Sequence, residues 1–134
     1  MEPTIFSGDW VLAEHISVNL DNLHRGDLVI CRSPTAPSSF ICKRVTGLPG
    51  DLVTGVFFRK PDVTSQYYDS AVKKGHVWLE GDNKSVSLDS WTYGPVPKGL
   101  LRSRVVCRLW PNPKLLSSHW YFQPSVDKSV KTIR

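Results

Sequence analysis

The sequence predicts a small all-β domain, a barrel or a folded-over sheet. Three observations predict it. Gly-Asp dipeptides recur and open into short apolar runs, one long stretch alternates apolar and polar residues, and no segment keeps apolar residues at helical spacing for three turns. Ten prolines and nine glycines in 134 residues suit short strands joined by turns. A chain of this length holds one domain with a single modest core.

The turns come first. "SGDWVLA" (7–13), "RGDLVIC" (25–31) and "PGDLVTG" (49–55) each place a Gly-Asp pair before an apolar run, whereas "EGDN" (80–83) follows the apolar "HVWL". Glycine supplies the unusual φ of a turn and aspartate caps it with its short side chain. The "RGD" at Arg25–Asp27 is explained by that turn without an adhesion role.

In "LLRSRVVCRLWP" (100–111), Leu101, Ser103, Val105, Cys107 and Leu109 share one face, and Arg102, Arg104 and Arg108 the other. That is a half-buried strand, ended by Pro111. Residues 59–74 are polar and read as a long loop between two strands. After Pro111 the pattern dissolves. Residues 112–134 are therefore read as a partly ordered, irregular tail whose Trp120, Tyr121 and Phe122 could dock on a body formed by 1–111.

The formal net charge of +5 fits an anionic partner, or a mildly basic protein with scattered charges; no long basic run favours the first. Cys31, Cys42 and Cys107 are too few and too far apart for a zinc site or a disulfide scaffold, and read as small, partly buried apolar residues. His15, His24, His76 and His119 show no metal-ligand spacing. No run of 18 apolar residues is present, and the first residues resemble neither a signal peptide nor a presequence.

One strand carries the chemical question. In "ICKRVTGLPGD" (41–51), Lys43 shares a face with Ile41 and Val45, while Arg44 looks the other way with Cys42 and Phe40. A lysine stem can lie along a sheet while its head reaches water. Alternatively the amine is buried, its pKa is lowered by desolvation, and it serves as a general base for a hydroxyl. Periodicity leaves both open.

A second segment bears on it. "GHVWLEGDNKSVSLDSWTYGPVPKGLL" (75–101), "ICKRVTGLPGD" and the opening "MEPTI" together resemble the type I signal peptidase family of serine–lysine proteases, and within it the mitochondrial inner membrane protease branch. Three blocks match in order: Met-x-Pro-Thr, Lys-Arg-Val-x-Gly-x-x-Gly-Asp, and Gly-Asp-Asn followed by Ser-x-Asp-Ser. The resemblance covers roughly residues 1–111. It implies that Lys43 is the general base, that Ser87 holds the lysine amine by a hydrogen bond, and that Asp89 and Ser90 brace the loop carrying Ser87. Gly81, Asp82 and Asn83 would form the turn presenting that loop.

Two departures accompany the match. The family's nucleophilic serine immediately precedes the methionine of Met-x-Pro-Thr, which here is Met1. No residue of the chain as it stands fills that position, so this chain is expected to lack peptidase activity. Part of the oxyanion hole and the family's N-terminal membrane anchor would also lie upstream. Ser7, in a turn, is not placed to substitute. The second departure is Trp91, where the family usually has an arginine paired with the aspartate; the expectation is a looser Ser87 loop, tightened slightly by Trp91→Arg.

The resemblance further implies precursor proteins with sorting presequences as substrates, bound extended along a strand edge. It implies a second inner membrane protease subunit and the inner membrane surface, on the intermembrane-space side, as surroundings, and neither metal nor organic cofactor. Two other functions compete: a non-catalytic interaction subunit of the same fold, and a small basic β-barrel binding single-stranded nucleic acid. The last would need aromatic residues interleaved with cations on one face, whereas Trp10, Trp78, Trp91 and Trp110 fall in separate elements.

Overall fold

A computed structural model describes residues 1–58, 65–117 and 132–133. In chain order the elements are β1 (Trp10–Glu14), α1 (Ile16–Asn19), β2 (Leu28–Arg32), β3 (Phe40–Gly47), β4 (Leu52–Phe58), β5 (Ser65–Ala71) and β6 (His76–Glu80). Then follow α2 (Ser90–Tyr93), β7 (Val96–Pro97), a 3₁₀ turn (Lys98–Leu100), β8 (Leu101–Trp110), β9 (Lys114–Leu115) and β10 (Thr132–Ile133). Among the described residues both α-helices are single turns, as the absence of helical periodicity leads one to expect.

The strands form two sheets. The larger runs β1-β8-β2-β3-β6-β7, with β9 also on β8; the smaller runs β10-β4-β5. Of the two architectures the sequence allowed, the folded sheet is the one formed. Among the described residues β1 and β7 do not pair, so the large sheet stays open.

Three Gly-Asp turns start strands in the same way. Gly8, Gly26 and Gly50 have φ of 89°, 93° and 90°, the left-handed region that favours glycine. The following aspartates accept the N–H three residues back: Phe6 to Asp9 at 3.0 Å, His24 to Asp27 at 2.9 Å and Leu48 to Asp51 at 2.9 Å. Each carboxylate also faces an arginine from elsewhere in the chain: Arg108 at Asp9, Arg104 at Asp27 and Arg25 at Asp51. Arg25 is thus engaged and Asp27 buried, which leaves the Arg-Gly-Asp stretch serving the fold.

Two polar segments differ from the sequence reading. Residues 65–71 of the predicted long loop are strand β5, paired antiparallel with β4 from Leu52↔Ala71 to Phe58↔Ser65. A hairpin with a solvated face tolerates polar residues, so its composition resembles that of a loop. Arg104, on the polar face of β8, is only 4% exposed because Glu14 of β1 and Asp27 cover it. Leu109, on the apolar face, is exposed. Residues 114–115 of the predicted irregular tail form β9, and Trp120, Tyr121 and Phe122 lie outside the described residues.

The main core joins Leu23, Val29, Cys31, Val45, Val77, Leu79, Val96 and Leu101, with Ile41 packed against it. A second cluster joins Val53, Val72, Trp78 and Trp91. Cys31 is buried, which pushes its thiol up to about 11, and all three cysteines are free. Trp10 and Trp110, although in separate elements, are register partners across β1 and β8 and are both exposed.

Candidate active site

Strand β3 delivers Lys43. Val45 on the same face is fully buried and Ile41 packs on the core, so the alternation carries the lysine stem inward between them. The amine ends half-buried, and its Nζ donates to Ser87 Oγ at 2.7 Å. Burial holds the Lys43 amine below the ordinary lysine range; the Asp89 carboxylate opposes this by attraction without cancelling it. Desolvation disfavours the ammonium because the low-dielectric surroundings replace its hydration shell.

Ser87 sits on the loop between β6 and α2. Its amide donates to the Asn83 carbonyl at 3.1 Å, closing a turn directly after Gly81-Asp82-Asn83. Gly81 is there for space. A Cβ at this position would lie 1.9 Å from Ser87 Oγ, 2.5 Å from Ser87 Cβ and 3.4 Å from Lys43 Nζ. Any side chain would displace the serine from the lysine.

The far end of the loop is anchored by buried polar groups. Asp89 caps α2 by accepting the Trp91 N–H at 3.0 Å, and its other oxygen accepts the Gly81 N–H at 3.2 Å. Burial raises the Asp89 pKa, and these two amides and Lys43 oppose the rise. Ser90 Oγ, fully buried, accepts the Leu79 N–H at 2.9 Å. The sequence thus brings Lys43, Ser87, Asp89 and Ser90 into one connected group with Gly81.

The Trp91 expectation requires correction. Trp91 is 5% exposed within the second cluster, its ring edge-on to Trp78 at 5.0 Å, and its indole Nε1 donates to Glu80. The loop is therefore held without the family's salt bridge. A guanidinium at this position would enter the space among Val53, Val72 and Trp78, so Trp91→Arg is expected to lower stability.

Three residues join the site that the sequence reading passed over. Arg44, pointing away from Lys43, grips Asp82 with Nε to Oδ1 at 2.8 Å and Nη2 to Oδ2 at 2.7 Å. Thr4 Oγ1 also donates to Asp82, and the Thr4 carbonyl accepts from Arg108 Nη1 at 3.0 Å. The Arg44 hydrogen bonds hold the Asp82 carboxyl below its usual range, and the Thr4 hydroxyl adds to the effect. The opening Met-x-Pro-Thr block is thereby docked on the Gly-Asp-Asn turn. The signal was present: Arg44 and Thr4 lie inside matched blocks, next to the residues that were singled out. Between them a cleft of about 410 Å³ opens, with Thr46 and Glu80 in its lining.

The sequence model of the family described as "Signal peptidase, peptidase S26" matches residues 1–56 and 57–110. The chain belongs to this family. Its relatives include mitochondrial inner membrane protease subunit 1 of Homo sapiens, 47% identical over 115 residues, covering 83% of this chain and 64% of the relative. The Mus musculus subunit 1 is 49% identical over 111 residues with the same coverages, 83% and 64%. The Schizosaccharomyces pombe subunit 1 is 39% identical over 127 residues, covering 88% of this chain and 73% of the relative. The Saccharomyces cerevisiae proteins similar to this chain are named subunit 2 and subunit 1 of the same protease. The chain thus spans 64% of the length of the human and mouse relatives. A signal peptidase I from Enterococcus faecalis superposes with a TM-score of 0.49 at 21% identity, over 61% of this chain and 95% of that one.

Proposed function

We propose that this chain is the catalytic portion of a serine endopeptidase of the mitochondrial inner membrane that removes sorting presequences from imported precursor proteins. The observation that carries the reading is the 2.7 Å contact between a half-buried Lys43 amine and Ser87 Oγ. Neutral Lys43 takes the proton of a serine hydroxyl as that oxygen attacks the scissile carbonyl, then returns it to the leaving amine. Ser87 orients the amine, while Asp89 and Ser90 hold the Ser87 loop. In this reading the attacking serine immediately precedes Met1; the docking of the Met-x-Pro-Thr block on the Gly-Asp-Asn turn through the Thr4–Asp82 and Arg44–Asp82 bonds supports it. The catalytic unit is 1–111, with 112–134 as an appendage. A second protease subunit is its partner, on the intermembrane-space side, in keeping with relatives named subunits 1 and 2.

The test uses a chain extended upstream so that serine precedes Met1, assayed on a peptide bearing a presequence cleavage site. Cleavage should rise with pH through the lowered Lys43 pKa, because only the neutral amine accepts the serine proton. Lys43→Met should abolish turnover while the fold survives. Ser87→Ala should cost less, within the about 10²–10⁴-fold range of general-base effects. Cleavage that persists in Lys43→Met overturns the lysine base. A folded extended protein with no cleavage favours the interaction-subunit reading instead.

A further inference from the structure

The Ser87 loop has little of its own to hold it. Lys84, Ser85, Val86 and Leu88 are all exposed, so no apolar side chain between the Gly-Asp-Asn turn and Asp89 anchors it to the core. Its position is set at its two ends. The α2 helix that follows is one turn long, too short to persist without tertiary contacts. Trp91 is the largest side chain of that turn and is buried.

Two links converge on Trp91. Its backbone N–H donates to Asp89, whose other oxygen takes the Gly81 N–H, and its indole N–H donates to Glu80. Glu80 is 8% exposed and directly precedes Gly81, the residue against which Ser87 packs. Side chain and backbone of one residue thus join both ends of the loop.

We propose that Trp91 is a positioning residue, whose indole bond to Glu80 pins α2 to the end of β6 and so fixes Ser87 against Lys43. This rests on the reading of Lys43 and Ser87 as the working pair. The Ser90 bond to the Leu79 amide and the Asp89 cap hold the first residues of α2 near β6 through neutral donors. The indole N–H···carboxylate bond adds a directional side-chain tie to the residue just before Gly81, and a charged acceptor in a buried place strengthens it.

The test reads the pair in the 134-residue chain without any turnover, so its outcome is separate from that of the cleavage assay. Protein carrying ¹³C-labelled lysine is titrated by NMR, with the Lys43 signal assigned from its loss in Lys43→Met. Trp91→Phe keeps an aromatic ring but drops the N–H, and Glu80→Leu removes the acceptor. Both should move the Lys43 midpoint upward, toward the ordinary lysine value, as water reaches a loosened amine. Removing the Glu80 charge by itself would move it downward, so the sign separates position from electrostatics. Glu80→Gln keeps an acceptor oxygen and should not raise the midpoint. Val53→Ala, in the same cluster but not a partner in the bond, should lower thermal stability and leave the midpoint in place. An unmoved or lowered midpoint in Glu80→Leu, or an equal rise in Val53→Ala, overturns the proposal even if Trp91→Phe fails to fold.

Discussion

Four Gly-Asp dipeptides look alike in sequence, yet one of them differs from the other three in what its glycine is for. At Gly8, Gly26 and Gly50 the backbone takes a positive φ, and an added Cβ would meet nothing within 4 Å. At Gly81 the backbone lies outside that region, and an added Cβ would strike Ser87. The aspartates differ too. Asp9, Asp27 and Asp51 accept an N–H three residues back, whereas Asp82 reaches out to Thr4 and Arg44. Three turns solve a problem of chain direction; the fourth clears room for the contact between Ser87 and Lys43. The same dipeptide serves conformation in one case and sterics in the other.

Gly81→Ala should therefore have the largest effect on the pair. With 1.9 Å between the new Cβ and Ser87 Oγ, the loop must move, and the nearest atoms belong to a short side chain with no far end to swing away. Overpacking of this kind costs about 1–3 kcal/mol of stability. Turnover of the extended enzyme should fall about 10²–10⁴-fold, the range of a displaced general base. Thermal melts and peptide cleavage measured on one preparation would check both. Undiminished cleavage would mean that Ser87 contact with Lys43 is dispensable.

How much of this was legible beforehand follows from the physics involved. That Lys43 shares a face with Ile41 and Val45 could be read because strand alternation is local; whether its amine is buried could not, because that depends on the loop carrying Ser87. The three strand-leading turns could be read because glycine and aspartate signal them within four residues. The steric role of Gly81 could not, since it depends on a side chain six positions away after the loop has closed. Burial of Arg104 was hidden because its cover, Glu14, comes from ninety residues upstream. The burial of Trp91 was hidden for a related reason: its surroundings are assembled from β4, the segment after β5, and β6. The roles proposed for Lys43 and Ser87 rest on the family resemblance, not on spacing.

The second prediction concerns the cost of the lysine. Its folded pKa is lowered from 10.5, chiefly by burial. Between the folded value and 10.5 the unfolded chain holds a proton that the folded chain does not, so stability rises with pH across that window. Below it the folded state carries the whole cost of a desolvated ammonium. Lys43→Met should accordingly be more stable than the parent at neutral pH, with the advantage shrinking as pH approaches 10.5. Urea unfolding of both proteins at several pH values would show it. A difference that does not change with pH would place the Lys43 amine in water.

Asp82→Asn probes the fourth turn at its outer side and should act more weakly. The Arg44–Asp82 pair is partly exposed, at 29% and 16%, so screening limits its contribution to about 1 kcal/mol. Because the folded carboxyl lies below 3.8, this contribution is present above the ordinary carboxylate value and lost as pH falls through the folded one. The variant should match the parent in acid and fall behind it near neutral pH. Equal stability at both would mean that Thr4 and Arg44 find other partners.

The smallest effect on the pair belongs to Gly26→Ala, and it completes the comparison. With φ at 93° and open space around it, the new methyl group meets no atom, and the only cost is backbone strain of about 1–2 kcal/mol. The hydrogen bonds from the Gly26 amide to the Val45 carbonyl at 2.6 Å and from the Val45 amide to the Asp27 carbonyl at 2.8 Å use atoms that alanine keeps. The register of β3, and with it the depth of Lys43, should survive. The variant should thus melt earlier yet leave the Lys43 NMR midpoint and the cleavage rate of the extended enzyme where they were. Gly81→Ala should change all three. If Gly26→Ala shifts the Lys43 midpoint, the turn before β2 sets the depth of the amine, and the division between conformational and steric glycines fails.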